Sequence, residues 1–200
     1  MFEPPTRTYR GFIFDCDGTL ADSMPLHHEA WRVALAAQGA SFEFGWDLFV
    51  RRAGMTIEAT VLELNGEFGT ALDPVSVAQR QRSEYESRIE HIRPLISVVD
   101  YLKQVARHSP VSVASGSERG QVLRTLAAIG ISDLVPIVVT AADVAHGKPA
   151  PDLFLLAAER MGVAPADCVV FEDAELGILA AERAGMGAVR VGLPLARVSS

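Results

Sequence analysis

The chain has 200 residues, 49% of them apolar, with 25 acidic side chains against 18 basic ones and a formal net charge of −7. That length suits one domain carrying an insertion, or two small lobes; the acidic balance argues against a nucleic-acid or anionic-membrane surface, and no run of about eighteen apolar residues is there to cross a bilayer. The opening MFEPPTRTYRG lacks the apolar stretch of a signal peptide, and Cys16 and Cys168 sit beside or within apolar runs, as reduced core cysteines of a cytoplasmic protein do.

The first strand-like run, Phe12-Ile13-Phe14, leads into D-C-D-G-T-L at 15–20. Side chains at i and i+2 of an extended segment point the same way. Asp15 and Asp17 therefore crowd like charges onto one face, which is costly unless something positive sits between them. From about Ser23 to Ile92 there is no strand-like run. The spacing predicts a helix over 27–37 and two within 47–68. Asp73-Pro74 starts another, with Ala78, Tyr85, Ile89 and Ile92 on one face. A separate helical lobe is therefore expected over 23–92, hinged at 22–25 and 93–94.

Beyond it, β-rich runs at 110–115, 136–140, 168–173 and 188–191 alternate with helical segments. One helix covers 118–129, with Val122, Leu126 and Ile129 on a face and Gly130 as its stop. Another opens at 149–152 and ends at Gly162. A third runs from about Glu175 to Ala184 and stops at Gly185. Strand and helix in alternation mean a parallel sheet with helices on both faces. The expected fold is thus α/β: a Rossmann-like parallel-sheet core made of 1–22 and 93–200, with a helical cap of 23–92 inserted after strand 1. The closing L-P-L-A-R-V-S-S reads as a short loose tail.

Polar residues collect where these strands end. Asp15 and Asp17 follow the first strand, Ser115 ends the second, Lys148 follows the third, and Glu172 and Asp173 end the fourth. Each has an ordinary role when taken alone: the serine as a helix cap, Asp-X-Asp-Gly as a turn, Glu-Asp at a helix N-terminus, the lysine in solvent. In an open parallel sheet, however, ligands bind at the carboxyl ends of the strands. Up to four carboxylates, one lysine and one hydroxyl are too negative for an anionic substrate without help. Oxygen-only ligands with no cluster of His and Cys favour Mg2+ over zinc. Amides around Gly116-Ser117 suit phosphate oxygens. A carboxylate nucleophile beside a metal and a lysine is a route to phosphoryl transfer through an aspartyl phosphate.

In this order, D-C-D-G-T-L, V-A-S-G-S, G-K-P-A-P-D and V-V-F-E-D-A resemble the four motifs of the haloacid dehalogenase superfamily, and their spacing leaves room for a helical cap after the first. The resemblance implies that Asp15 is the nucleophile and Asp17 the general acid and base. Ser115 would hydrogen-bond the phosphoryl group and Lys148 would neutralise it. Mg2+ would sit on Asp15, the backbone carbonyl of Asp17 and Asp173, with Glu172 close by as a ligand or as a support for one. Substrate contacts are expected from Gly18, Thr19, Gly116 and Ser117 in the motif loops, and from His27 and Arg82 in the cap.

H-H-E-A-W at 27–31 is similar to the first cap helix of the β-phosphoglucomutase-like branch. The C-terminal third is similar to the bacterial fructose-1-phosphate phosphatases within that branch. The mutase pattern carries a phosphate-gripping arginine in a G-x-S-R cap loop. Here that loop reads Gly54-Met55-Thr56-Ile57, and a lysine expected near the last cap helix appears as Gln81, between Arg80 and Arg82. Both departures, and Thr19, favour hydrolysis over isomerisation. Asp17 argues against a dehalogenase, because a halide leaving group needs no acid and a sugar alkoxide does. The expected function is a Mg2+-dependent phosphatase of a small phosphorylated sugar, acting as a cytoplasmic monomer. The alternatives are a sugar phosphomutase and a catalytically quiet member that binds through its cap. Among other cap residues, Trp31 is expected in the core and His28 in solvent. Arg51, Arg52, Arg80 and Arg82 divide between a basic lining and solvated faces, Met24 and Met55 touch the cap's contacts, and His146 lies in a loop.

Overall fold

The computed structural model describes residues 3–192; the tail expected at 193–200 lies outside them. Five strands form one parallel sheet: β1 (Gly11–Phe14), β2 (Val111–Ser115), β3 (Ile137–Thr140), β4 (Cys168–Glu172) and β5 (Gly187–Arg190). Their order is β3-β2-β1-β4-β5. β1 is central, between β2 and β4, so the segments that follow these three strands open side by side at one edge.

Every residue of β1, β2 and β4 is buried, as expected for strands covered on both faces. The pleat sends Phe12 and Phe14 to one side and Ile13 to the other. On the first side Phe14 stacks on Phe171 with centroids 4.5 Å apart. That side packs against α5 (Ile96–Val105), through Val98, Val99 and Leu102, and against α6 (Arg119–Ala128), through Val122 and Leu126. On the second, Ile13, Ala114, Val139 and Val170 meet α7 (Asp152–Met161) and α8 (Glu175–Arg183). Each large apolar side chain buried this way contributes on the order of 1.5–3 kcal/mol.

Four helices lie between β1 and α5: α1 (Met24–Ala37), α2 (Trp46–Val50), α3 (Ile57–Phe68) and α4 (Pro74–Glu86). They share a cluster of their own that includes Trp31, Leu35, Phe44, Phe49, Val61 and Leu64. Local sequence sets their limits. Thr56 caps α3 by accepting from the Ala59 N–H, and Gly69 ends it at φ 65°. The Asp73 carboxylate accepts from the Val75 and Ser76 N–H groups ahead of Pro74. The chain enters and leaves this layer at one place. The Asp22 N–H donates to the Arg93 carbonyl at 2.8 Å, and the Leu95 N–H to the Leu20 carbonyl at 2.8 Å.

Three expectations need adjusting. α1 starts at Met24, nearly a turn before the expected 27, with Pro25 in its first turn where a proline fits. α5 occupies a stretch to which the sequence reading gave no element of its own. Its Val98, Val99, Leu102 and Val105 do recur at helical spacing, so this helix was legible in the sequence. A third concerns a side chain. His28 is not in solvent but half-buried, its Nε2 2.9 Å from the Phe44 carbonyl and its ring edge-on to Trp46 at 5.3 Å. An imidazole can bond a carbonyl with one nitrogen while its ring covers aromatic surface.

Candidate active site

Asp15 follows β1 directly, and its N–H donates to the Phe171 carbonyl of β4 at 3.0 Å. The chain then turns sharply: Leu20 and Ala21 both donate to the Cys16 carbonyl, and Gly18 takes φ 82°. Lys148 reaches in from the loop after β3. Its Nζ lies 2.6 Å from Asp15 Oδ1 and also bonds Glu172 Oε1. The other Glu172 oxygen accepts from the Ala174 N–H at 2.8 Å. Glu172 fits only because Gly177 has no side chain, for a Cβ there would collide with its carboxylate.

Asp173 completes the cluster. One of its oxygens accepts from Thr19 Oγ1 at 3.2 Å; the other, Oδ2, is buried without a partner. Gly18 makes room for it, since a Cβ at that position would strike Oδ2. Ligand oxygens of Asp15, Glu172 and Asp173 all lie within 4.8 Å of one another. Three buried carboxylates thus face one ammonium. Burial first, and then Glu172, push the Asp15 carboxyl up to about 8 although Lys148 opposes them. Burial, Glu172 and Asp15 drive Asp173 well above the usual carboxylate range. Burial alone would lower the Lys148 ammonium, but Asp15 and Glu172 outweigh it and hold the group above the ordinary lysine range. An orphaned carboxylate oxygen in an over-negative, oxygen-only cluster fits a hard divalent cation.

Asp17 is surrounded differently. Its Oδ1 accepts from Ser23 Oγ at 2.7 Å and Tyr85 Oη at 3.4 Å, and its Oδ2 from Ser117 Oγ at 2.9 Å. His27 Nε2 stands 3.1 Å from Oδ1, off the line of a good hydrogen bond. Burial would raise this carboxyl; His27 and the serine hydroxyls outweigh it and hold it down at about 2. His27 is itself fixed from two sides. Its ring stacks on Tyr85 with centroids 4.0 Å apart, and its Nδ1 meets the Gln81 amide nitrogen at 3.1 Å.

After β2, Ser115 Oγ accepts from the Ser117 N–H at 3.1 Å, curling Gly116 against the α2–α3 loop. A Cβ on Gly116 would lie 2.7 Å from the Gly54 carbonyl. Between that loop and the strand ends is a cavity of about 310 Å3. Its walls include Asp15, Asp17, Ser115, Gly116, Ser117, Glu172 and Asp173 from the sheet edge, and Met24, His27, Trp31, Arg52, Met55 and Arg82 from the helical layer. Lys148 lies behind Asp15 and Glu172. Thr19 is fully buried, with its hydroxyl turned to Asp173. Of the other arginines, Arg80 is exposed and pairs with Glu84 at 2.6 Å. His146 pairs with Asp152 at 3.1 Å. The sequence reading missed Ser23 and Tyr85, which hold Asp17, and Gln121, which lines the cavity from α6. The Ser23 contact is local to the turn after β1, whereas Tyr85 is placed where α4 meets α6, its Oη 2.9 Å from Thr125 Oγ1.

Comparison with known proteins gives a consistent picture. The family model for haloacid dehalogenase-like hydrolases matches residues 9–185. The chain is 40% identical over 187 residues to the fructose-1-phosphate phosphatase YqaB of Escherichia coli, covering 92% of this chain and 97% of that protein. It is 32% identical over 191 residues to the β-phosphoglucomutase of Bacillus subtilis, covering 92% and 83% of the two chains. A crystal structure of a hydrolase from Pseudomonas syringae superposes with a TM-score of 0.82 at 30% identity, covering 91% of this chain and 83% of that one.

Proposed function

The chain belongs to the haloacid dehalogenase-like hydrolases, and we propose that within this family it is a magnesium-dependent phosphatase of a small sugar monophosphate. The observation that carries this reading is Asp15 at the cavity floor, between the ammonium of Lys148 and the orphaned oxygen of Asp173. Asp15, Asp173 and the backbone carbonyl of Asp17 would hold the cation, with Gly18 and Thr19 shaping the Asp173 end. Glu172, both of whose oxygens are engaged, serves mainly to fix Lys148. Bound there, Mg2+ would offset the carboxylate charge and draw charge from the phosphoryl oxygens.

Ser115, the amide of Gly116, that of Ser117 once it turns from Ser115 Oγ, and Lys148 hold the phosphoryl group. An Asp15 oxygen attacks phosphorus, the P–O bond to the sugar breaks, and Asp17 gives a proton to the leaving oxygen. Asp17 then takes a proton from water, whose oxygen attacks the aspartyl phosphate, releasing phosphate and restoring Asp15. In the geometry described, Asp17 is held ionised, the form that activates water. To act as the acid it must take up a proton as the substrate rearranges its contacts with Ser117 and His27. Residues 23–92 act as a cap over this chemistry, with 1–22 and 93–200 as the core, and His27 and Arg82 border the sugar.

Two features favour hydrolysis over phosphomutase chemistry: Ile57 stands where a mutase carries its phosphate-gripping arginine, and a relative at 40% identity is named as a sugar phosphatase. The chain is proposed to work as a cytoplasmic monomer without nucleic-acid partners, in keeping with its acidic charge and two free buried cysteines. The test is phosphate release from a panel of sugar monophosphates, fructose 1-phosphate among them, with Mg2+ or with a chelator. Magnesium-dependent release from at least one is expected; no release from any by the folded protein overturns the reading.

A further inference from the structure

The wall of the cavity opposite Asp15 has a charge pattern that the chemistry above leaves unused. Two guanidinium groups face it, and both are already held by carboxylates. Arg82, on α4, lies 2.7 Å from Glu58 and 3.0 Å from Glu118, the residue just before α6. Arg52 pairs with Glu67 and stands 3.4 Å from Glu63. Ile57 gives the same wall only hydrocarbon. A second phosphate or a carboxylate on the substrate meets no free guanidinium there among the described residues. It meets the carboxylates of Glu58 and Glu118 instead, an arrangement that disfavours anions.

Besides the Nε atoms of Arg52 and Arg82, two neutral amides of this wall hold buried atoms without a partner. Gln81 is fully buried; its amide nitrogen meets His27, and its Oε1 has no partner. Gln121 is 4% exposed and its Nε2 has no partner. Both line the cavity. Leaving a buried amide group unbonded costs about 1–3 kcal/mol. A sugar hydroxyl, both donor and acceptor, can satisfy either side of an amide.

We infer that this wall selects an uncharged polyol, with Gln81 and Gln121 bonding its hydroxyls, and that Glu58 and Glu118, by occupying Arg82, exclude a second anionic group. The inference rests on the phosphatase reading for the reacting end of the substrate. It narrows the substrate to monophosphates of neutral sugars or sugar alcohols.

Binding to the Asp15→Asn variant with Mg2+, measured by calorimetry, tests this without turnover. The probes are a hexose 1-phosphate, the hexose 1,6-bisphosphate and inorganic phosphate. The monophosphate is expected to bind at least about tenfold tighter than the bisphosphate, and adding Glu58→Gln with Glu118→Gln is expected to shrink that ratio about tenfold. Gln121→Leu is expected to weaken the monophosphate about tenfold and leave inorganic phosphate unchanged. If that variant does not fold, Gln121→Met is read in the same way. Equal binding of mono- and bisphosphate, a ratio that the glutamate changes do not move, or a monophosphate affinity indifferent to residue 121 overturns the inference. Selective binding together with a wild-type enzyme that turns nothing over would instead overturn the phosphatase reading and leave the selectivity standing.

Discussion

The ammonium of Lys148 lies 2.6 Å from Asp15 Oδ1, across 133 residues of sequence, and both groups are buried. It bonds Glu172 as well. Such an ion set adds little net stability compared with apolar packing, yet removing one partner strands the others.

Lys148→Met is therefore expected to leave two buried carboxylates without their cation. Stability should fall by about 3–5 kcal/mol, seen as a lower midpoint in denaturant, and phosphate release should vanish. A Lys148→Met protein of unchanged stability would mean that the buried contact is not formed in solution.

Magnesium should stabilise the protein more as pH rises. Asp15 is pushed up to about 8 by burial and Glu172 against the pull of Lys148, from about 3.9 in an unfolded chain. A carboxyl raised on folding contributes stability that is complete below about pH 4 and lost as pH climbs through about 8. Asp173 is shifted in the same direction. Without metal, the melting temperature should therefore decline across this window. Mg2+ binds the ionised carboxylates, so the rise in melting temperature that it gives should be small at pH 5 and larger at pH 8. Asp173→Asn should remove most of it. An increment independent of pH would contradict the assignment of the cluster to the metal.

Gly116→Ala should separate closure of the helical layer from folding. Its methyl group would sit 2.7 Å from the Gly54 carbonyl, a backbone atom that must move. Gly116 lies beyond the end of β2, outside the packed faces of the sheet. The melting temperature should change little while kcat/KM drops about tenfold or more. Wild-type kinetics in this variant would show that the loop need not approach the sheet edge.

What could be read from the sequence follows from what is local. Asp15, Asp17, Ser115, Glu172 and Asp173 stand at or just beyond strand ends, and β-rich runs mark those ends directly. Lys148 follows β3 by several residues, yet the alternation of strand and helix still places it at the same edge. The partners of these groups depend on which helices pack together, and spacing does not encode that. Gln81 stood out as a missing lysine, but its bond to His27 joins two helices 54 residues apart. Arg82, expected either in a basic lining or on a solvated face, is paired instead, because α3 and the start of α6 put Glu58 and Glu118 beside it. Thr19, expected against substrate, turns to Asp173 because the Gly18 turn folds the loop back under the sheet edge.

The most direct test of the account is the rate of phosphate release from a sugar monophosphate, with saturating Mg2+, by the wild-type protein and by Asp15→Asn. The substitution keeps the shape of the side chain and replaces the attacking oxygen's charge by an amide. The account predicts steady turnover by the wild type and a loss of at least about a thousandfold in a folded Asp15→Asn protein that still binds substrate. Release at the wild-type rate by that variant would contradict Asp15 as the nucleophile.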